Sequence, residues 1–210
     1  MKYSLFSVVA CLSSASVLFW SAPTLRAEPP LPGQSAPAFS LPGSDAKPHA
    51  LADYKGKIVV LEWTNPGCPF VKKWYGSGAM QKLQKEAVAK GVVWLRIISS
   101  APGKQGAQTA PEAAAYEKEQ QVGATATLLD PEGKVGRLYG AKTTPHLFVI
   151  DARGQLAYAG AIDSKPSVDP ADIAGAKNYV AAALAELEAG KPVSTPSTQS
   201  YGCSVKYAAQ

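Results

Sequence analysis

Short apolar runs alternate along this chain with longer amphipathic segments. Runs rich in β-branched and aromatic residues predict core strands at residues 58–63, 92–98, 127–130, 147–151 and 156–160. The last two flank Arg153-Gly154 and therefore form a hairpin. Two shorter segments, 38–42 and 49–51, flank a Gly-Ser-Asp turn and predict a second, smaller hairpin near the N-terminus.

The segments between these runs have helical periodicity. Apolar residues spaced by four from Val71 to Ala87 predict a helix from Cys68 to about Lys90, which Gly76-Ser77-Gly78 kinks or divides. Thr109 and Glu112 have the spacing of a capping box for a second helix, ending near Gln121. A helical turn is expected near residues 135–139, and a last helix from Asp169-Pro170 to about Glu188.

This order of elements predicts an α/β fold with a central mixed sheet, helices on both of its faces and an N-terminal β-hairpin. Residues 28–190 have the length of one domain with a substantial core. Residues 191–210 form a Ser/Thr/Pro-rich tail that carries Cys203 and is expected to be mobile.

The first 27 residues resemble a signal peptide. Lys2 precedes an apolar or small-residue run from Ser4 to Trp20, and Ala27 offers a small residue for cleavage. A membrane anchor and a lipoprotein site at Cys11 are the alternatives, but the run is marginal for spanning and continues past Cys11. We expect export, for example to the periplasm, without stable membrane insertion after cleavage.

Export changes both the charge and the cysteine count. Removal of Lys2 and Arg26 leaves 19 basic against 16 acidic residues and lowers the formal net charge from +5 to +3. The remaining positive charges are dispersed, so a nucleic-acid partner is not expected. Cys11 leaves with the leader, and an even pair, Cys68 and Cys203, remains for an oxidising compartment.

Cys68 stands where a buried strand gives way to a helix. Asn65-Pro66-Gly67 ends the strand, and Cys68-Pro69 opens the helix. Unpaired N–H groups and the positive dipole end at a helix N-terminus favour a thiolate over a thiol. Pro69 fits the first helical position because its missing N–H would have no partner there. The sequence therefore predicts a reactive thiol, with an inert buried thiol as the alternative.

The strand, the Cys-Pro helix start and a later Thr144-Pro145 before an apolar hairpin resemble the thioredoxin superfamily over roughly residues 34–190. Gly56-Lys57 and the strand that follows resemble its redoxin branch, the alkyl hydroperoxide reductase/thiol-specific antioxidant and peroxiredoxin-like type. The resemblance implies a thioredoxin-like fold and a thiol oxidoreductase.

The resemblance also implies roles for individual residues. Cys68 matches the nucleophilic cysteine of Cys-x-x-Cys, and Pro145 matches the cis-proline that faces it and whose backbone pairs with a substrate strand. Glu62, six residues before Cys68, matches a buried acid that accepts a proton. Thr64 is a further candidate, although it stands four residues before Cys68 rather than three.

Two departures from the family pattern bear on the chemistry. Val71 replaces the second cysteine of Cys-x-x-Cys, so no local disulfide can form. The arginine that holds peroxide in peroxiredoxins is missing near Pro145, which favours a disulfide over a peroxide substrate.

Cys203 has three possible roles. It resolves an intermediate on Cys68, or it forms a static bridge that ties down the tail, or it is a free or intermolecular thiol. A bridge that closes so long a loop contributes on the order of 4–5 kcal/mol in the chain-entropy model, so the structural alternative is a serious one.

Other titratable residues have weaker claims. Glu62 on a buried strand is paired, protonated or functional in proton transfer, or else lies at a sheet edge. His146 reaches the thiolate or lies on the surface, and His49 belongs to a loop. A metal site formed by Cys68, Cys203 and the two histidines lacks ligand spacing, so neither a metal nor another cofactor is expected.

Two functional hypotheses follow. In the first, an exported thiol oxidoreductase uses Cys68 as nucleophile and Cys203 as resolving cysteine on a disulfide protein or small peroxide, and an external thiol donor reduces it again. In the second, the chain is a non-catalytic binding module with a structural Cys68–Cys203 disulfide.

Overall fold

A five-stranded mixed sheet forms the centre of the molecule. The structure is a computed structural model that describes Met1 and residues 28–209. In spatial order the sheet consists of β5 (Ala126–Leu129), β4 (Val93–Ile98), β3 (Val59–Trp63), β7 (His146–Ile150) and β8 (Leu156–Gly160). The first three strands are parallel, and the last two run antiparallel to their neighbours. The predicted core strands are therefore confirmed.

Within residues 28–209, two short strand pairs lie outside this sheet. The N-terminal hairpin is confirmed as β1 (Ser40–Pro42) and β2 (Pro48–Ala50), followed by a 3₁₀ turn at Leu51–Tyr54. A short ladder joins β6 (Thr143–Thr144) to β9 (Cys203–Ser204) in the C-terminal tail.

In the described part of the chain, six helices connect and cover the strands. They are α1 (Pro69–Gly76), α2 (Ala79–Ala89), α3 (Ala110–Glu119), α4 (Lys134–Leu138), α5 (Asp172–Gly175) and α6 (Tyr179–Glu188). The predicted interruption after Cys68 is confirmed as the boundary between α1 and α2, because Gly78 has a φ of +76° that L residues rarely adopt. The capping box of α3 at Thr109 and Glu112 is present.

The sheet separates two apolar layers. Buried side chains of α1, α2 and α6 pack on one face, together with alternate residues of the central strands such as Val60 and Leu147. The N-terminal hairpin and α4 pack on the other face against Leu61 and Phe148. This arrangement confirms the predicted α/β, thioredoxin-like fold with helices on both faces.

The expected single helix from Asp169 to Glu188 is instead two helices, α5 and α6, separated by residues 176–178. Residues 176–178 are extended because Asp163 and Asn178 form an antiparallel bridge. The longer helix, α6, begins only at Tyr179, where the Asn178 side chain accepts a hydrogen bond from the backbone N–H of Ala181 at 2.9 Å.

The predictions for the two ends of the chain have different outcomes. The signal-peptide prediction lies in residues 1–27, almost all outside the described part. Within that described part, every helix is too short or too polar to cross a bilayer. The tail, expected to be mobile, is instead docked: Thr198 Oγ1 accepts a 2.9 Å hydrogen bond from the backbone N–H of Ala161 and contacts Tyr158 Oη at 2.6 Å.

Candidate active site

Cys68 is the residue immediately before α1. Its backbone N–H donates to the Asn65 carbonyl at 3.0 Å, which closes the turn between β3 and the helix. Pro69 follows as the first helical residue, so the predicted strand-to-helix junction is confirmed. The Cys68 side chain is 0% exposed. A thiol at this position faces the free N–H groups of the first helical turn.

The strand that precedes β7 faces this thiol. The Thr144–Pro145 peptide bond is cis, in agreement with the geometry that the family resemblance implies. Cys68 Sγ donates a hydrogen bond to the Thr144 carbonyl oxygen at 2.9 Å. The two predicted residues, Cys68 and Pro145, are thus brought together from positions more than 70 residues apart.

The C-terminal tail completes the site. Cys203 pairs with Thr144 and Ser204 with Thr143 in the antiparallel β6–β9 ladder. The Thr144 hydroxyl donates to the Cys203 carbonyl at 3.4 Å, and the backbone N–H of Val205 donates to the Lys142 carbonyl at 3.1 Å. Both cysteines are free thiols in this structure.

The surroundings shift the pKa values of the two thiols in opposite directions. Burial opposes ionisation of Cys68, but the polar groups around its sulfur, Cys203 and Thr144 foremost, outweigh it and lower the pKa of Cys68. Burial, the hydrogen bond to Cys68 and the charge of its thiolate raise the pKa of Cys203 to about 11. The Cys68 thiol therefore ionises more readily than the Cys203 thiol.

Val71 occupies the position of the second cysteine in Cys-x-x-Cys, so the first turn of α1 offers Cys68 no second thiol. The backbone N–H of Val71 is among the groups that lower the pKa of Cys68.

Glu62 is buried on the central strand β3, so the alternative of an acid at a sheet edge is wrong. Its carboxylate accepts hydrogen bonds from Tyr75 Oη (2.8 Å), Gln84 Nε2 (2.9 Å) and Trp94 Nε1 (2.8 Å). Buried Arg96 lies beside it in register on β4. These partners join β3 and β4 to α1 and α2. The proton-transfer role of Glu62 stays a prediction.

The two remaining candidates, Thr64 and His146, are buried side chains. Thr64 is buried, and within residues 28–209 its hydroxyl has no hydrogen-bond partner; its role stays a prediction. His146 is buried rather than on the surface: it packs on Phe148 with ring centroids 4.4 Å apart, and its Nδ1 accepts from the Lys142 N–H at 3.2 Å. Since side chains alternate along β7, His146 faces the layer opposite to Cys68.

His49 also lies elsewhere. It is part of β2, where its ring contacts Tyr54 Oη at 2.6 Å and Asp45 at 3.1 Å. Over the described ranges, no group of three or more His, Cys, Asp or Glu side chains has the arrangement of a metal site.

The sequence reasoning missed a buried ion pair behind the tail. Lys73 of α1 and Asp163, which follows β8, have fully buried side chains with Nζ and Oδ2 3.8 Å apart. The Tyr201 hydroxyl donates to Asp163 Oδ1. A lysine on the apolar face of a predicted amphipathic helix was the one sign in the sequence of a buried charge. Nothing in the sequence identified Asp163 as its partner.

Comparisons with known proteins bear on the family and the fold. A family model described as the AhpC/TSA family matches residues 32–159. A hypothetical protein from Sinorhizobium meliloti is 26% identical with a TM-score of 0.72, covering 85% of this chain and 96% of that chain. An uncharacterized conserved protein from Geobacillus kaustophilus is also 26% identical, with a TM-score of 0.73 and coverage of 85% and 93%. No curated protein matches the chain.

Proposed function

Because the chain belongs to the AhpC/TSA family, we propose that it reduces disulfide bonds with Cys68 as the nucleophile and Cys203 as the resolving cysteine. Family membership makes the chain a thiol-dependent oxidoreductase, the enzyme class expected from the sequence. The observation that carries the finer proposal is geometric: Cys203 lies opposite Thr144 in the β6–β9 ladder, and the Thr144 carbonyl accepts the hydrogen bond from Cys68 Sγ.

The reaction proceeds in two exchange steps. First, the Cys68 thiolate attacks one sulfur of the substrate disulfide, forms a mixed disulfide with it, and releases the other sulfur as a thiolate that takes up a proton. Second, Cys203 loses its proton, its sulfur attacks the Cys68 sulfur, and the first substrate sulfur leaves as a thiol. The substrate gains two electrons, and an external dithiol reduces the resulting Cys68–Cys203 disulfide.

The contact between the two thiols orders these steps. The interaction with Cys68 and the charge of its thiolate contribute to the raised pKa of Cys203. The Cys203 thiol therefore stays protonated until Cys68 has reacted with substrate. Formation of the mixed disulfide removes the Cys68 charge. Two of the three causes that raise the pKa of Cys203 then disappear, and Cys203 becomes easier to ionise when its attack is needed.

The arginines favour a disulfide over a peroxide as substrate. Arg96 donates a hydrogen bond to Thr127, and Arg153 donates to Asp151. Arg137 donates to backbone carbonyls, including that of Ala208. In residues 28–209 no arginine therefore faces Cys68 to hold a peroxide. We also propose that the protein is exported, on the strength of its N-terminal 27 residues.

Turnover with a disulfide protein tests the assignment. Reduction of insulin by dithiothreitol is measured with the unaltered protein and with Cys68→Ser and Cys203→Ser, and a parallel assay replaces insulin with hydrogen peroxide. Cys68→Ser abolishes acceleration, while Cys203→Ser slows it at least about tenfold and accumulates a mixed disulfide on Cys68 that mass spectrometry detects. Unchanged turnover of Cys203→Ser overturns the resolving role.

A binding module is the second candidate, and burial of Cys68 under the tail favours it. In that case the Cys68–Cys203 bridge is present in every preparation and resists mild reductant. Neither cysteine variant then changes insulin reduction, and no mixed disulfide forms.

A further inference from the structure

Cys68 is closed off by the tail from two sides. On one side, Cys203 and Ser204 pair with the strand before Pro145. On the other, the ring of Tyr201 packs edge-on against Phe70, two residues after Cys68, with centroids 5.7 Å apart. With its side chain 0% exposed, Cys68 meets an outside reactant only when this segment moves.

The Tyr201 hydroxyl contacts the buried ion pair that Lys73 of α1 forms with Asp163. It donates to Asp163 Oδ1, which also accepts a hydrogen bond from the backbone N–H of Lys165 at 2.8 Å. Lys73 Nζ approaches the other carboxylate oxygen at 3.8 Å and donates to the Lys165 carbonyl at 3.3 Å. A hydrogen bond to an ionised, desolvated acceptor is about twice as strong as one between neutral groups.

This anchor is geometrically coupled to both thiols. Lys73 stands on α1, the helix that Cys68 caps, and Tyr201 stands two residues before Cys203. Gly202, between them, has a φ of +134°, and a Cβ there would overlap the Thr144 carbonyl oxygen. The backbone therefore crosses the Thr144 carbonyl in close contact, and fixing Tyr201 fixes where Cys203 lies.

We propose that Tyr201 is a positioning residue that, through Asp163 and Lys73, latches the tail closed and holds the Cys203 sulfur against Cys68. The proposal rests on the resolving role of Cys203. The latch has opposite effects on two reactions: it protects Cys68 from outside reagents and accelerates the internal attack of Cys203.

Tyr201→Phe separates these effects because it removes the hydroxyl and keeps the ring on Phe70. Two rates are measured: alkylation of Cys68 by iodoacetamide in the reduced protein, resolved by peptide mapping, and closure of the Cys68–Cys203 disulfide after Cys68 is loaded with thionitrobenzoate. Loss of a hydrogen bond to a charged group predicts alkylation about tenfold faster or more, and closure slower by a similar factor.

Tyr139→Phe is the matched control. It removes another tyrosine hydrogen bond, to the Pro37 carbonyl at 2.7 Å, without touching Asp163. Both of its rates are expected to stay within about twofold of the unaltered protein. Equal changes in the two variants, or a Tyr201→Phe protein with unchanged rates, overturn the latch.

The outcome also distinguishes the latch from the function on which it rests. If Cys203 is not the resolving thiol, thionitrobenzoate is not displaced from Cys68 even in the unaltered protein. If Cys203 resolves but the latch is wrong, closure proceeds normally in both tyrosine variants.

Discussion

Cys203 lies opposite Thr144 in the β6–β9 ladder, and the Thr144 carbonyl accepts the 2.9 Å hydrogen bond from Cys68 Sγ. One residue of the strand before Pro145 therefore contacts both cysteines. This relationship places the tail where, by resemblance to the thioredoxin superfamily, a substrate strand pairs. The tail and a substrate then compete for the same edge of the strand.

Replacing the Cys203 thiol changes the ionisation of Cys68. Cys203→Ala removes a hydrogen-bond donor to the Cys68 sulfur while burial still opposes its charge, so the pKa of Cys68 rises. Cys203→Ser retains a hydroxyl donor and gives a smaller rise. The pH dependence of thiolate absorbance measures both. A pKa of Cys68 that is the same in all three proteins contradicts the assignment of Cys203 as donor.

A methyl group at residue 202 displaces the tail. Gly202→Ala places a Cβ against the Thr144 carbonyl, 2.8 Å from its carbon, so Cys203 moves away from Cys68 and disulfide closure slows at least about tenfold. Stopped-flow measurement of closure checks this. Gly175→Ala is the control, because nothing lies within 4 Å of a Cβ built there. A Gly202→Ala protein that closes its disulfide at the normal rate contradicts the close approach.

Glu62→Gln tests whether the buried carboxylate supports the fold or transfers protons. The three hydrogen bonds to Glu62 predict a loss of about 3 kcal/mol in the free energy of unfolding, because the amide has one acceptor oxygen where the carboxylate has two, and buried donors lose their partner. Urea denaturation measures this loss. Glu86→Gln, at an exposed pair with Lys82, is expected to cost less than about 1 kcal/mol.

The same Glu62→Gln protein reports on proton transfer. If Glu62 only supports the fold, the pH profile of Cys68 alkylation keeps its midpoint within about 0.3 pH unit. A displaced midpoint together with normal stability favours the proton-acceptor role instead.

His146 makes the fold sensitive to acid. Burial, with a contribution from the charge of Lys142, lowers the pKa of His146 to about 4 from its ordinary 6.5. Its stabilisation is therefore complete above pH 6.5 and is lost progressively as the pH falls towards 4, because the unfolded chain binds the proton first.

The size of this effect follows from the same pKa values. His146→Asn is expected to remove about 2 kcal/mol of the stability difference between pH 7 and pH 4.5, as measured by urea denaturation at both values. His49→Asn is the control substitution, because His49 lies on the N-terminal hairpin, where its ring contacts Asp45. Identical pH dependence in the unaltered and His146→Asn proteins contradicts burial of a neutral imidazole.

Sequence reasoning predicted the fold and the place of Cys68 at a strand-to-helix junction, because both depend on local patterns. Three local features are visible without tertiary information: the strand that ends at Trp63, the Cys68-Pro69 helix start, and Gly76 and Gly78 at the boundary between α1 and α2. The Thr144–Pro145 bond was found through resemblance, since no periodicity marks it. These features bring Cys68 and Pro145 together whatever the tail does.

The docked tail could not be predicted, because its composition indicates a loose linker and its attachments are non-local. Thr198 forms a hydrogen bond with Tyr158 of β8, and Cys203 pairs with β6. Tyr201 donates a hydrogen bond to an ion pair of Lys73 and Asp163, two residues 90 positions apart. Asn178 was a visible cap signal for α6, but the Asp169-Pro170 signal nearby obscured it.

The reduction potential of the Cys68–Cys203 pair tests the central claim most directly. Protein equilibrated in a series of dithiothreitol redox buffers is quenched with acid, and its Cys68–Cys203 disulfide is quantified by mass spectrometry. A resolving pair predicts a single two-electron transition with a midpoint above about −300 mV. A bridge that stays oxidised below that value, or two thiols that never form a bridge, contradicts the account.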